Sequence, residues 1–200
     1  MRISIIYHSE SGNTKKVAEL IAQGAEEVEG VQTRLMDLEA IDREYVRSSK
    51  AVIFGGPTYC GTFSWQMKKW FDTTDIGLAD KLGSVFVTEN YLGGGADVAE
   101  LGLIGMMLVR GMLAYSSGVG RNVPFTHYGA VTIKDGDEPQ RERARILGEG
   151  SPKKRGKSSA NINKRYIREE NQCNIGLLAN SVFKFPPSVS APCAYRPRTA

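Results

Sequence analysis

The opening fifteen residues, MRISIIYHSESGNTK, leave the chain few folds to choose from. Ile3 to Tyr7 is an apolar, β-branched run of the kind that forms a strand buried on both faces. It passes directly into Ser9-Glu10-Ser11-Gly12-Asn13-Thr14, then into a stretch with Val17, Leu20, Ile21, Gly24 and Val28 on one helical face. A strand, a short hydroxyl-rich loop and a helix aim backbone N–H groups along the positive end of a helix dipole, which makes an anion site. Gly12 lets the backbone come close to a phosphate, while Ser9, Ser11 and Thr14 add hydroxyl donors. No Lys or Arg lies inside the loop, as suits an anion held by neutral donors. The same residue types also suit an ordinary helix cap, and at this point both readings stand.

Strand and helix patterns then alternate. Val31 to Met36 is a more polar strand suited to a sheet edge, and Asp37 to Ser49 is a polar, partly helical connection. Ala51 to Gly56 (AVIFGG) is an apolar third strand, followed by a loop, Pro57 to Thr62, and a helix over Ser64 to Thr73. Ser84 to Thr88 is the fourth strand; Glu89 to Gly95 is Gly-rich, and a long apolar helix runs from Ala96 to Val109. Met112 to Tyr115 and Gly129 to Ile133 supply the fifth strand, split by a loop, and Glu138 to Leu147 a last helix that Gly150-Ser151-Pro152 stops. This alternation predicts a three-layer α/β fold: a five-stranded parallel sheet with helices on both faces. In such sheets ligands bind beyond the carboxyl ends of the strands, where the strand order reverses. With strand order 2-1-3-4-5, the loops after the first, third and fourth strands meet in one crevice and share one small-molecule site.

The motifs in those loops resemble the flavodoxin-like FMN-binding family, and within it the NAD(P)H:quinone oxidoreductases of the Trp-repressor-binding-protein-like branch. SESGNT resembles the family's phosphate loop, GGPTYCGTFSWQMKKWFD its second flavin loop and following helix, and SVFVTENYLGGG its third loop. RGM and the later HYGAVTI resemble segments around its fifth strand, so the likeness covers residues 1–149. The resemblance implies that Ser9, Glu10, Ser11, Gly12, Asn13 and Thr14 hold the FMN phosphate. Pro57, Thr58, Tyr59, Cys60 and Gly61 would border the isoalloxazine, with Cys60 a small packing residue. Thr88, Glu89, Asn90, Tyr91, Leu92, Gly93 and Gly94 would meet the ring and ribityl chain from the other side. Arg110 becomes a candidate to approach the flavin or a nicotinamide phosphate, and His127 is a structural residue or one that reaches a neighbouring subunit's flavin. The implied activity is an FMN-dependent oxidoreductase that takes electrons from NAD(P)H to a quinone or similar acceptor. The flavin carries the chemistry, and no side chain is catalytic. The alternative is a flavodoxin-type electron carrier with no substrate of its own. Assembly as a homodimer or homotetramer is implied as well.

Charge divides the chain in two. Residues 1–150 hold 16 Lys and Arg against 20 Asp and Glu, a net of −4, whereas 151–200 hold 10 against 2, a net of +8. The expected organisation is a cofactor-binding domain over 1–149 and a basic, Pro-containing tail or oligomer arm over 150–200. Nucleic acid is not an expected partner, because the basic run carries no interleaved aromatics. Three widely spaced cysteines suggest neither a disulfide framework nor a zinc site. With no apolar run of membrane-spanning length and no signal-peptide pattern, a cytoplasmic protein is expected.

Overall fold

The computed structural model describes residues 1–119 and 125–151. Its opening run forms β1 (Arg2–Tyr7), buried from Ile3 onward, and leads through Gly12 into α1 (Asn13–Glu26). There follow β2 (Gln32–Asp37), α2 (Arg43–Ser48), β3 (Ala51–Tyr59), β4 (Thr62–Phe63) and α3 (Trp65–Thr73). The chain continues as β5 (Leu82–Glu89), α4 (Ala96–Val109), β6 (Leu113–Ala114) and β7 (Ala130–Ile133), then α5 over 138–151.

The parallel sheet has the order β2-β1-β3-β5, and its fifth position is shared by β6 and β7, both paired parallel to β5. β6 lies against Leu82–Gly83 and β7 against Phe86–Glu89, so the two short strands follow one another along the same edge of β5. Tyr115 bridges the gap: its N–H donates to Gly83 O at 2.7 Å, and its carbonyl accepts from Ser84 Oγ at 2.9 Å. Side chains alternate across the sheet as period-two geometry requires. Ile3, Ile5, Ile53 and Phe86 meet α1 and α5 through Val17, Ile21, Ala144 and Leu147. Ile6, Val52, Phe54 and Val85 meet α3 and α4 through Met67, Phe71, Leu103 and Met107. Trp70 joins that second layer with its ring centroid 5.5 Å from Phe54, while Trp65 is exposed. Polar β2 takes the edge position.

Three expectations need correction. The loop foreseen at 57–62 is strand and hairpin: β3 runs on through Tyr59, and Thr58 and Tyr59 pair antiparallel with Phe63 and Thr62. Cys60 (φ 48°) and Gly61 (φ 81°) are both left-handed, which is the two-residue turn whose twist suits a hairpin. The last helix does not stop before Gly150. It continues to Ser151, whose Oγ donates to Leu147 O at 3.0 Å. Tertiary packing overrides the local breakers here. A β-carbon at Gly148 would stand 2.0 Å from Ile21 O, and one at Gly24 would stand 2.1 Å from Arg145 O, so α1 and α5 touch backbone to backbone. Arg110, finally, lies at the far end of α4 from the crevice and bonds the carbonyls of Phe71 and Thr74. Pro152 and the basic run Lys153 to Arg165 lie outside the described residues.

Candidate functional site

Where β1, β3 and β5 end side by side, the three loops enclose a cleft of about 240 Å³. From the first loop it is lined by Glu10, Ser11, Asn13 and Thr14, and from the second by Pro57, Thr58 and Tyr59. Thr88, Glu89 and Asn90 come from the end of β5, and Lys134 from the end of β7. Asn13 and Thr14 stand in the first turn of α1, where backbone N–H groups have no intrahelical acceptor. Gly12 precedes them at φ 86°, with open space where a β-carbon would sit. The cradle therefore presents donors toward the cleft and leaves room for an anion. The residues present fit the phosphate end of a flavin mononucleotide.

Each remaining residue has a definite place. Ser9 faces the first turn of the helix, whose N-cap is Gly12: its Oγ accepts from Lys15 N at 3.3 Å. Glu10 accepts from Gln66 Nε2 at 3.2 Å, and its Oε1 lies 3.6 Å from His8 Nε2. His8 is also 3.5 Å from the Tyr59 hydroxyl, and the two rings meet edge to face. Burial, with the Glu10 carboxylate beside it, holds the Tyr59 phenol above its usual value, so this side chain stays neutral at the cleft wall. Cys60 and Gly61 do not line the cleft; both sit exposed at the hairpin tip, and Cys60 is no packing residue in this structure. Tyr91 points outward, and Leu92 and Gly93 line an adjoining groove of about 640 Å³ together with Val98, Phe125 and His127. His127 thus faces the third loop of its own chain.

Two bonds lock the loops together. Thr14 Oγ1 and Thr88 Oγ1 are 2.8 Å apart and buried, tying the first loop to the third. Glu89 Oε2 accepts from Ala96 N at 3.3 Å, closing the third loop onto the start of α4. Replacing Thr14 by Val removes a donor from the cradle and leaves the buried Thr88 hydroxyl unpaired, at a cost of about 1–3 kcal/mol. The expected result is a melting temperature lower by several degrees and flavin mononucleotide bound about tenfold more weakly, read by thermal denaturation and by titration.

Two residues escaped the sequence reading. Lys134 follows the last strand, which carried no loop motif, and only the pairing of β7 with β5 brings it to the cleft. Gly95 ends the third loop at φ 97° and abuts the hairpin turn: a β-carbon there would stand 2.4 Å from Gly61 O. Its signal was the third of three consecutive glycines immediately before a helix.

Comparison with known proteins places the chain among its relatives. Residues 5–95 match the family described as Flavodoxin. A flavodoxin from Clostridium saccharobutylicum is 43% identical over 150 residues, covering 74% of this chain and 94% of that protein. An NAD(P)H dehydrogenase (quinone) from Archaeoglobus fulgidus is 27% identical over 178 residues, covering 74% and 93%. Among solved structures, the flavodoxin, WrbA-like protein from Agrobacterium tumefaciens superposes with a TM-score of 0.66 at 25% identity, over 78% of this chain and 98% of that one.

Proposed function

The chain belongs to the flavodoxin family of FMN-binding redox proteins, and from that premise we propose that it is an electron carrier. In this reading it accepts electrons from one protein, hands them to another, and has no substrate of its own. The observation that carries the reading is the open, apolar surround of the cleft. Trp65, Tyr91, Leu92 and Phe125, on the elements that form or adjoin it, are 62%, 68%, 86% and 61% exposed. A planar group held between the second and third loops then presents an edge that another protein can cover. The 43% identity to a flavodoxin along nearly its whole length adds support.

Ser11, Asn13 and Thr14 take the phosphate, with Gly12 shaping the turn. Pro57 to Tyr59 and Thr88 to Asn90 flank the ribityl chain and the ring. Cys60 and Gly61 turn the hairpin that carries Tyr59, while Tyr91 to Gly94 shape the opposite rim. FMN, when bound, supplies the one- and two-electron redox chemistry. The protein's part is to orient the ring, keep Tyr59 neutral beside it, and shield one face from water. The proposed functional unit is residues 1–151, since Gly150 and the buried Ser151 complete α5 and move the boundary expected after 149, with the rest of the chain as a basic appendage. Among the described residues no helix is long and apolar enough to cross a membrane, and the proposed location is the cytoplasm.

A second reading has its own support. The relatives named NAD(P)H dehydrogenase (quinone), and a 640 Å³ groove that shares Glu89 with the cleft, suit an NAD(P)H-dependent reductase with room for a second planar ring. Under it, the exposed apolar side of α4 (Val98, Leu101, Leu108 and Val109) would pack subunits into a homodimer or homotetramer. Anaerobic mixing of the FMN-loaded protein with NADH or NADPH separates the two. A carrier's flavin stays oxidised with either nucleotide and bleaches with dithionite. Rapid bleaching by one nucleotide overturns the carrier reading in favour of the reductase.

A further inference from the structure

Lys134 stands in the left-handed region at φ 55°, where a residue with a side chain is uncommon. Two bonds hold it there: its N–H donates to Glu89 O at 2.7 Å, and its carbonyl accepts from Thr132 Oγ1 at 2.9 Å. The conformation fixes it to the wall of the cleft that Ser11, Asn13 and Thr14 also line. Nearby cations are already engaged: Lys16 and Arg141 both pair with Asp135, at 3.1 and 3.4 Å. Lys134 forms no ion pair among the described residues. The cleft otherwise carries only negative charge, from Glu10 and Glu89, and a phosphate dianion entering it meets both carboxylates.

Resting on the FMN reading, we propose that Lys134 is a specificity-determining residue: its ammonium supplies the positive charge that the first loop lacks and selects phosphorylated over unphosphorylated flavin. The first loop then positions the phosphate through neutral donors, and the end of the last strand reads its charge. A dianion gains from a cation in a way a neutral hydroxyl does not.

The test is equilibrium titration of wild type, Lys134→Gln and Lys134→Arg with FMN and with riboflavin, at low and at high salt. The expected result is that Lys134→Gln weakens FMN about tenfold, leaves riboflavin within about twofold, and flattens the salt dependence of FMN binding. Lys134→Arg keeps most of the preference. If Lys134→Gln binds FMN as wild type does, or weakens FMN and riboflavin equally, the proposal is overturned while the flavin site stands. If wild type binds neither flavin, the reading of the site itself fails and the proposal with it.

Discussion

Replacing Gly95 by Ala is expected to lower the melting temperature by about 10 °C and to weaken FMN at least tenfold. Two costs combine. A left-handed backbone with a β-carbon costs about 1–2 kcal/mol. The β-carbon would also stand 2.4, 2.5 and 2.6 Å from O, C and Cα of Gly61, which are backbone atoms of a tight turn and cannot rotate away. Something must move, and what moves is the hairpin that carries Thr58 and Tyr59. The second and third loops then separate, and the flavin slot opens. Gly93→Ala is the control. Gly93 has φ 82°, but nothing lies within 4 Å of its β-carbon position, so that variant bears only the backbone cost. Thermal melts and FMN titrations of both should differ clearly. Equal behaviour would mean that the contact between Gly95 and the hairpin does not hold the site together.

Glu100→Gln should make stability less dependent on pH. Glu100 sits in α4, 1% exposed, with its carboxyl pushed up from the usual 4.5 to about 8. Burial is the main cause, with Asp97 one turn earlier adding repulsion; the Gly129 N–H and the Arg143 guanidinium from α5 pull the other way. The folded state therefore holds a proton that the unfolded state has already released. By linkage, stability falls as pH rises from about 5 to about 8, by on the order of 1 kcal/mol per pH unit from this group. Gln keeps an acceptor for the Gly129 N–H and cannot ionise. It gives up only the attraction to Arg143, whose guanidinium still donates to Gly118 O at 2.8 Å. The difference in stability between variant and wild type should therefore grow in the variant's favour as pH rises from about 5 to about 8 and level off above that. A constant difference across that range would mean that Glu100 does not titrate there.

Most of the architecture was legible because its signals were local. β1 and the first loop, the apolar β3 and β5, and α4 between Ala96 and Val109 each announce themselves by residue type and period. The split fifth strand was legible as two β-branched or apolar pieces, Met112 to Tyr115 and Gly129 to Ile133, which the structure narrows to Leu113–Ala114 and Ala130–Ile133. What was missed depends on partners distant in sequence. Cys60-Gly61 between Thr58-Tyr59 and Thr62-Phe63 is a two-residue hairpin turn, but its first position holds Cys where such turns usually carry Asn, Asp or Gly, so the local signal is weak. α5 survives Gly148 and Gly150 because α1 comes within touching distance of its backbone, which no local pattern reveals. Cys60 is exposed because a two-residue turn leaves its tip in solvent. Lys134 reaches the cleft through β-pairing alone.

In the proposed reading three loops, closed by the Thr14–Thr88 bond and the seat of Gly95 against Gly61, form one FMN site. Titrating the flavin-free protein with FMN, followed by absorbance and flavin fluorescence, tests it most directly. The prediction is one FMN per chain, a shifted and structured flavin spectrum, and flavin retained through gel filtration in wild type but lost from Gly95→Ala. An unshifted spectrum with flavin eluting free of the wild-type protein would contradict the claim.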